Sequence, residues 1–158
     1  MAQIADYFGN YPCKPGEKKP MVITREKMKL FIYTPDNPYA SDINWLFAST
    51  DQLTVGVFQL APGGSFDPPD IHAGDEVYYI LNGTLTELNP ENGQVEEVKK
   101  GEAILLPKGA AHKAYNFGTE KLTILYVIAP KIWEKVGVPM TYHEKATLYK
   151  YDRKEEGR

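Results

Sequence analysis

The chain is poor in the features that mark disulfide-stapled, membrane-spanning or nucleic-acid-binding proteins. It has a single cysteine, Cys13, so an internal disulfide is excluded, and the surrounding Pro-Cys-Lys-Pro-Gly stretch sets no base beside the thiol. The longest apolar run, Ile124 to Ala129, is far too short to span a bilayer, and the N-terminal residues hold no continuous apolar stretch of the kind a secretory leader needs. These absences exclude a membrane partner and predict a cytoplasmic protein. A basic excess is also missing. The net charge is −3, and the pairs Lys18-Lys19 and Lys99-Lys100 are offset by neighbouring glutamates, so no stripe exists to neutralise a phosphate backbone and nucleic acid is excluded as a partner. Internal repeats and low-complexity linkers are absent, and histidine is scarce, with three in the whole chain.

What is present is a domain-sized sequence of 158 residues with enough aliphatic and aromatic content for one real core. Short runs rich in β-branched and aromatic residues cover Asn44 to Thr50, Leu53 to Leu60, Glu76 to Leu81, Thr84 to Leu88, Gln94 to Lys99, Glu102 to Leu106, His112 to Asn116 and Leu122 to Ile128, which makes eight candidate strands. Between them stand tight-reversal signals. Asn82-Gly83 is the strongest hairpin signal, followed by Asn89 to Gly93, Pro107-Lys-Gly109 and Asn116-Phe-Gly118. Regular hairpin spacing without intervening amphipathic helices predicts an all-β sandwich or barrel rather than a βαβ fold. The expected organisation is an N-terminal arm over residues 1–40 with one edge strand in Thr24 to Tyr33, a β-barrel over 41–130, and a C-terminal extension over 131–158. In that extension Ile132 to Val136 reads as a helical turn and Thr147 to Tyr151 as another edge strand, ahead of a charged tail.

Two of the three histidines fall in strand-like segments with carboxylates at short spacing. Side chains alternate along a strand, so Asp70 and His72 share a face, and Glu76 can rejoin them after the Ala73-Gly74 turn. His112 comes from a different strand just past Pro107-Lys-Gly109, which is how a barrel gathers sequence-distant ligands. Two imidazoles and two carboxylates form a borderline-to-hard donor set suited to Mn²⁺, Fe²⁺, Ni²⁺ or Zn²⁺. An octahedral ion held by four such ligands keeps two positions for water or a bidentate substrate.

The spacing resembles the two motifs of the cupin superfamily. Gly64, five residues, Asp70-Ile-His72, three residues, Glu76, six residues and Gly83 is similar to the first motif. Gly101, five residues, Pro107-Lys-Gly109, two residues, His112, three residues and Asn116 is similar to the second. Seventeen residues separate Gly83 from Gly101, as in compact single-domain members. The resemblance implies a jelly-roll β-barrel with a metal inside its mouth, and a homodimer built by pairing or exchanging edge strands. One position departs: the family's usual first ligand is a histidine, and here it is Asp70. That aspartate can coordinate directly or through a water. Alternatively it only orders the turn after Pro68-Pro69, which leaves His72, Glu76 and His112 as the two-histidine, one-carboxylate set of non-haem Fe²⁺ oxygenases.

Around this set, parity turns Tyr78 and Ile80 to the face of Glu76 and Tyr79 away, while Ala114 and Asn116 share the face of His112 and leave Lys113 and Tyr115 outside. Tyr78 is the candidate for a catalytic or pocket role, although eleven tyrosines in a small β-protein are mainly packing residues. Phe58 or Gln59 is expected to line the cavity. Asp67 and Asp70 read either as an acid–base pair or as a polar loop, and His143 reads as a surface residue. Three functions follow. In the first, a divalent cation acts as Lewis acid on a small polar metabolite for isomerase, lyase or decarboxylase chemistry. The second is a non-haem Fe²⁺ dioxygenase, and the third is a non-catalytic binding or sensing module with a structural metal.

Overall fold

The computed structural model describes residues 10–30, 43–66 and 69–130 in full, and 31–34, 42 and 147–151 as backbone. The expected helical turn at 132–136, Asp67 and His143 lie outside the described residues. Among the described residues, apart from a single 3-10 turn at Arg25–Lys27, the regular structure is all strand: β1 (Lys29–Thr34), β2 (Asp42–Ser49), β3 (Thr54–Leu60), β4 (Asp75–Asn82), β5 (Thr84–Asn89), β6 (Gln94–Lys99), β7 (Ala103–Leu106), β8 (Lys113–Tyr115), β9 (Leu122–Ala129) and β10 (Thr147–Tyr151). Each of the eight runs read from the sequence is a strand, with ends shifted by two residues at most.

Every strand pairing is antiparallel, in a seven-stranded sheet ordered β10-β1-β2-β3-β9-β4-β7 and a three-stranded sheet ordered β6-β5-β8. This is the jelly-roll arrangement. Period-two patterning explains which face each strand buries. Along β4, Glu76, Tyr78 and Ile80 point inward and Val77, Tyr79 and Leu81 outward; along β9, Leu122, Ile124, Tyr126 and Ile128 point inward. With Phe58 and Leu60 of β3, Leu85 of β5, Val98 of β6 and Leu106 of β7 they form one continuous core between the sheets.

Two expectations change. β1 is not an edge strand: β10 covers its outer side, so the edge belongs to the C-terminal strand. The Asn82-Gly83 pair is not a hairpin turn either. β4 pairs with β9 and β7, and β5 with β6 and β8, so these two residues carry the chain from one sheet to the other. Gly83 takes φ +80°, and a Cβ there would stand 3.0 Å from the Leu122 Cα, so the corner needs both the left-handed conformation and the missing side chain. Asn82 fastens the same corner by donating from Nδ2 to the Lys121 carbonyl at 2.9 Å. The Asn89–Gly93 signal is a true hairpin between β5 and β6, with the Gly93 N–H donating to the Asn89 carbonyl at 2.9 Å.

Candidate metal centre

The segment before β4 has no regular strand, yet it is laced to the segment around β8 like a ragged extra strand of the small sheet. The Gly63 N–H donates to the Asn116 carbonyl at 2.8 Å, and the Asn116 N–H returns to Gly64 at 2.9 Å. Further along, Ser65 bridges Tyr115, and Asp70 and His112 exchange both backbone hydrogen bonds, at 2.9 and 3.0 Å. The Gly109 N–H then donates to the His72 carbonyl at 3.1 Å. The two motif segments therefore hold each other in register. Asn116 locks the far end: its buried Nδ2 donates to the carbonyls of Leu60 at 3.0 Å and Glu120 at 2.8 Å, and its Oδ1 accepts from the Gly118 N–H at 3.0 Å. Asn116 shares the inward face of His112 and spends its polar atoms on the backbone.

This lacing brings the four singled-out polar residues together. Asp70, His72 and His112 each offer a ligating atom, and these atoms all lie within 4.8 Å of one another. Glu76, at the start of β4, sets its Oε2 3.3 Å from the Nε2 of His72 and 3.1 Å from the Nε2 of His112. His72, Glu76 and His112 are buried, and Asp70 is half-buried. His112 is oriented by its Nδ1–H, which donates to the Ala110 carbonyl at 2.9 Å and so turns Nε2 toward the cluster. Neither that Nε2 nor the Glu76 Oε2 has an aligned hydrogen-bond partner among the described residues, although both are fully buried. Close, buried, convergent and unaligned donor atoms of this kind fit a small divalent cation.

Apolar and aromatic groups surround the cluster. Phe66 and Tyr78 stand edge-on to the His112 ring, with centroids 6.2 and 6.0 Å away, and Phe58 packs against both Phe66 and Tyr78. Tyr78 and Phe58 thus face inward, while Tyr79 and Gln59 lie on the other faces of their strands. Burial works against the imidazolium of His112, but its contact with Glu76 and the negative charges of Glu76, Asp70 and Glu87 outweigh it and push the group up to about 9. In the absence of a cation, His112 is the positive member of the cluster at neutral pH.

Glu87 is the residue that sequence reasoning missed. It lies on β5 on the same face as Leu85, is 3 % exposed, and has no aligned hydrogen bond on either carboxylate oxygen among the described residues. Burial raises its pKa from the ordinary carboxylate range to about 8; the charge of His112 and the nearby Lys113 backbone N–H pull it down, and Glu76 and Asp70 push it up. The signal was available, since parity with Leu85 puts Glu87 inside once the strand is accepted. A glutamate in a short strand reads more naturally as solvent-facing.

Comparisons with known proteins agree with this geometry. A family model described as "Cupin domain" matches residues 56–128. An uncharacterized protein of Streptomyces coelicolor is 30% identical over 84 residues, covering 53% of this chain and 76% of that protein. Oxalate oxidase GF-3.8 of Triticum aestivum is 27% identical over 118 residues, 68% of this chain and 52% of the oxidase, so the chain spans about half the length of that relative. Among solved structures, a predicted oxalate decarboxylase of Thermotoga maritima superimposes with a TM-score of 0.58 at 23% identity, covering 70% of this chain and 99% of its own. A Klebsiella pneumoniae protein with a double-stranded β-helix domain gives a TM-score of 0.54 at 20% identity, covering 87% and 100%. These structural likenesses establish the fold.

Proposed function

Because the chain belongs to the cupin family, we propose that it is a divalent-metal enzyme acting on a small carboxylate, with decarboxylase or lyase chemistry. Asp70, His72, Glu76 and His112 are the proposed ligands. The observation that carries this reading is the buried convergence of the Glu76 Oε2 on both imidazole Nε2 atoms, with no aligned hydrogen bond on the Oε2 or on the His112 Nε2. When bound, the cation supplies Lewis acidity that polarises a substrate carboxylate or carbonyl. The chain's own residues do the rest. The Ala110 carbonyl fixes the His112 tautomer, the Asp70–His112 backbone pairing fixes the distance between the two motifs, and Phe58, Phe66 and Tyr78 keep water from the buried side of the cluster. Asp70 would supply a second anionic donor, so two carboxylates would neutralise a divalent charge.

A second reading is oxidase chemistry that consumes O₂, favoured by the sequence likeness to an oxalate oxidase. The deciding experiment is elemental analysis of untagged protein purified without added metal, followed by oxygen-uptake and CO₂-release assays with oxalate. Near-stoichiometric Mn or Fe with CO₂ release and no O₂ consumption supports the first reading, and stoichiometric O₂ uptake supports the second. Failure to retain or take up any divalent metal overturns both and leaves a non-catalytic binding module.

A further inference from the structure

Glu87 is the one buried acid of the described interior that the proposed ligand set does not use. Its position follows from sheet register: Glu87 lies opposite Ala114 across the β5–β8 pair, and Ala114 is two residues along the chain from His112 on the same inward face. Diagonal neighbours of this kind stand roughly 7–8 Å apart, within reach of a long side chain. Folding has buried a carboxyl group with both oxygens lacking an aligned hydrogen bond, and an unpartnered buried polar group costs stability. Leucine or valine would fill the same inward position of a strand without that cost, as Leu85 does one pleat earlier. The nearby Lys113 backbone N–H can serve at most one of the two oxygens, which leaves the other for a group outside the polypeptide. A water or an oxygen ligand of a cation held by Asp70 and Glu76 suits that place, because a further acid would add to the negative charge these two already set around Glu87.

We propose that Glu87 is the hydrogen-bonding partner of an oxygen ligand on the cation: its carboxyl group donates from the β5 side of the barrel to a water or to a substrate carboxylate oxygen held there. The inference rests on the cation reading of the preceding section. Its charge balance is simple. A divalent ion with the Asp70 and Glu76 carboxylates is neutral, so an anionic ligand is retained by a neutral donor at Glu87 and repelled by an ionised one. This makes Glu87 a determinant of which ligand the ion accepts, favouring oxygen anions.

The test measures Mn²⁺ affinity and oxalate affinity, each by calorimetry, for the full chain and for Glu87→Gln and Glu87→Leu. Glutamine keeps a neutral donor of the same shape, and leucine removes it. Mn²⁺ binding within threefold in Glu87→Gln, with at least tenfold weaker oxalate binding in Glu87→Leu only, supports the proposal and assigns the oxygen to the substrate. Tenfold weaker Mn²⁺ binding in Glu87→Leu without oxalate present, and not in Glu87→Gln, supports it and assigns the oxygen to water on the ion. Equal affinities in all three proteins overturn it while leaving the cation site standing, as does an equal loss in both variants, since that requires the charged carboxylate. Absence of Mn²⁺ binding in the unaltered chain overturns the cation reading and this inference together. Thermal midpoints report folding: leucine at this position should hold or raise the midpoint, so a loss of affinity in a stable Glu87→Leu protein has a direct cause.

Discussion

At the residue scale, His112 and Glu87 are both held protonated, one by neighbouring negative charge and the other by burial, so that one is a cation and the other neutral. His112 is held protonated up to about 9 in the metal-free protein by Glu76, Asp70 and Glu87, so cation binding must expel that proton, and metal affinity should rise steadily from pH 6 to pH 9. Calorimetry in buffers of different ionisation enthalpy would detect the released proton; affinity independent of pH over that range contradicts His112 as a ligand. Replacing His112 with alanine should lower metal affinity by about 100-fold or more with the far-ultraviolet spectrum of the barrel retained, and full stoichiometric metal in that variant would sink the site. The stability of the metal-free protein carries the sign of both shifts. Folded-state pKa values raised above the unfolded ones, to about 8 for Glu87 and about 9 for His112, give stability that is fully present below the unfolded values and is lost as pH rises through the folded ones. Urea midpoints in chelator should therefore fall between pH 5 and pH 9. Glu87→Gln should remove the part below pH 8, on the order of a few kcal/mol.

The elements that hold these residues are joined by backbone hydrogen bonds and side-chain locks rather than by a continuous sheet. Asn116 is the lock with the largest consequence, since its amide joins Leu60 at the end of β3, Glu120 before β9 and Gly118 in the turn between β8 and β9. Asn116→Ala leaves buried carbonyls without donors and should cost about 2–4 kcal/mol in urea unfolding. Metal affinity should fall by less than in His112→Ala, because the Asp70–His112 bridge remains. Gly83 is the second such position: an alanine there meets both the positive φ and the Leu122 backbone, and a cost of about 1–3 kcal/mol is expected. An unchanged unfolding midpoint in either variant would show that the sheet-changing corners relax more freely than their geometry indicates.

At the scale of the whole molecule, the outer face of the large sheet carries Val77, Tyr79 and Leu81 on β4 beside Leu105 on β7, each between 38% and 60% exposed. A cluster of this kind is unusual on a monomer, and a homodimer that covers it is the expected state. Light scattering should then return twice the 17.8 kDa chain mass, and Leu105→Lys should shift it towards the monomer. A monomer at micromolar concentration for the unaltered chain removes the dimer. Metal loading should also stabilise the whole barrel, by about 3 kcal/mol at a hundredfold excess over Kd, because the cluster joins β4 to the segment before it and to the residue that leads into β8.

Much of this is legible in the sequence. Strand positions follow from a local property, the two-residue alternation of apolar side chains between Gly and Asn punctuation, and so β3, β4, β5, β6 and β9 emerge within one residue of their observed ends. The inward parity of Tyr78, Ala114 and Asn116 follows in the same way. The grouping of Asp70, His72, Glu76 and His112 was readable from spacing. What local pattern could not carry was which strands lie beside which. Asn82-Gly83 has hairpin chemistry, yet β4 and β5 separate there because β9 and β7 already occupy both edges of β4. Glu87 has the look of a solvated strand residue and is buried because it shares with Leu85 the inward face of β5, which packs into the core. Pairing over long sequence separations is settled by the sum of core contacts and backbone hydrogen bonds, a property of the folded chain that no short window of residues contains.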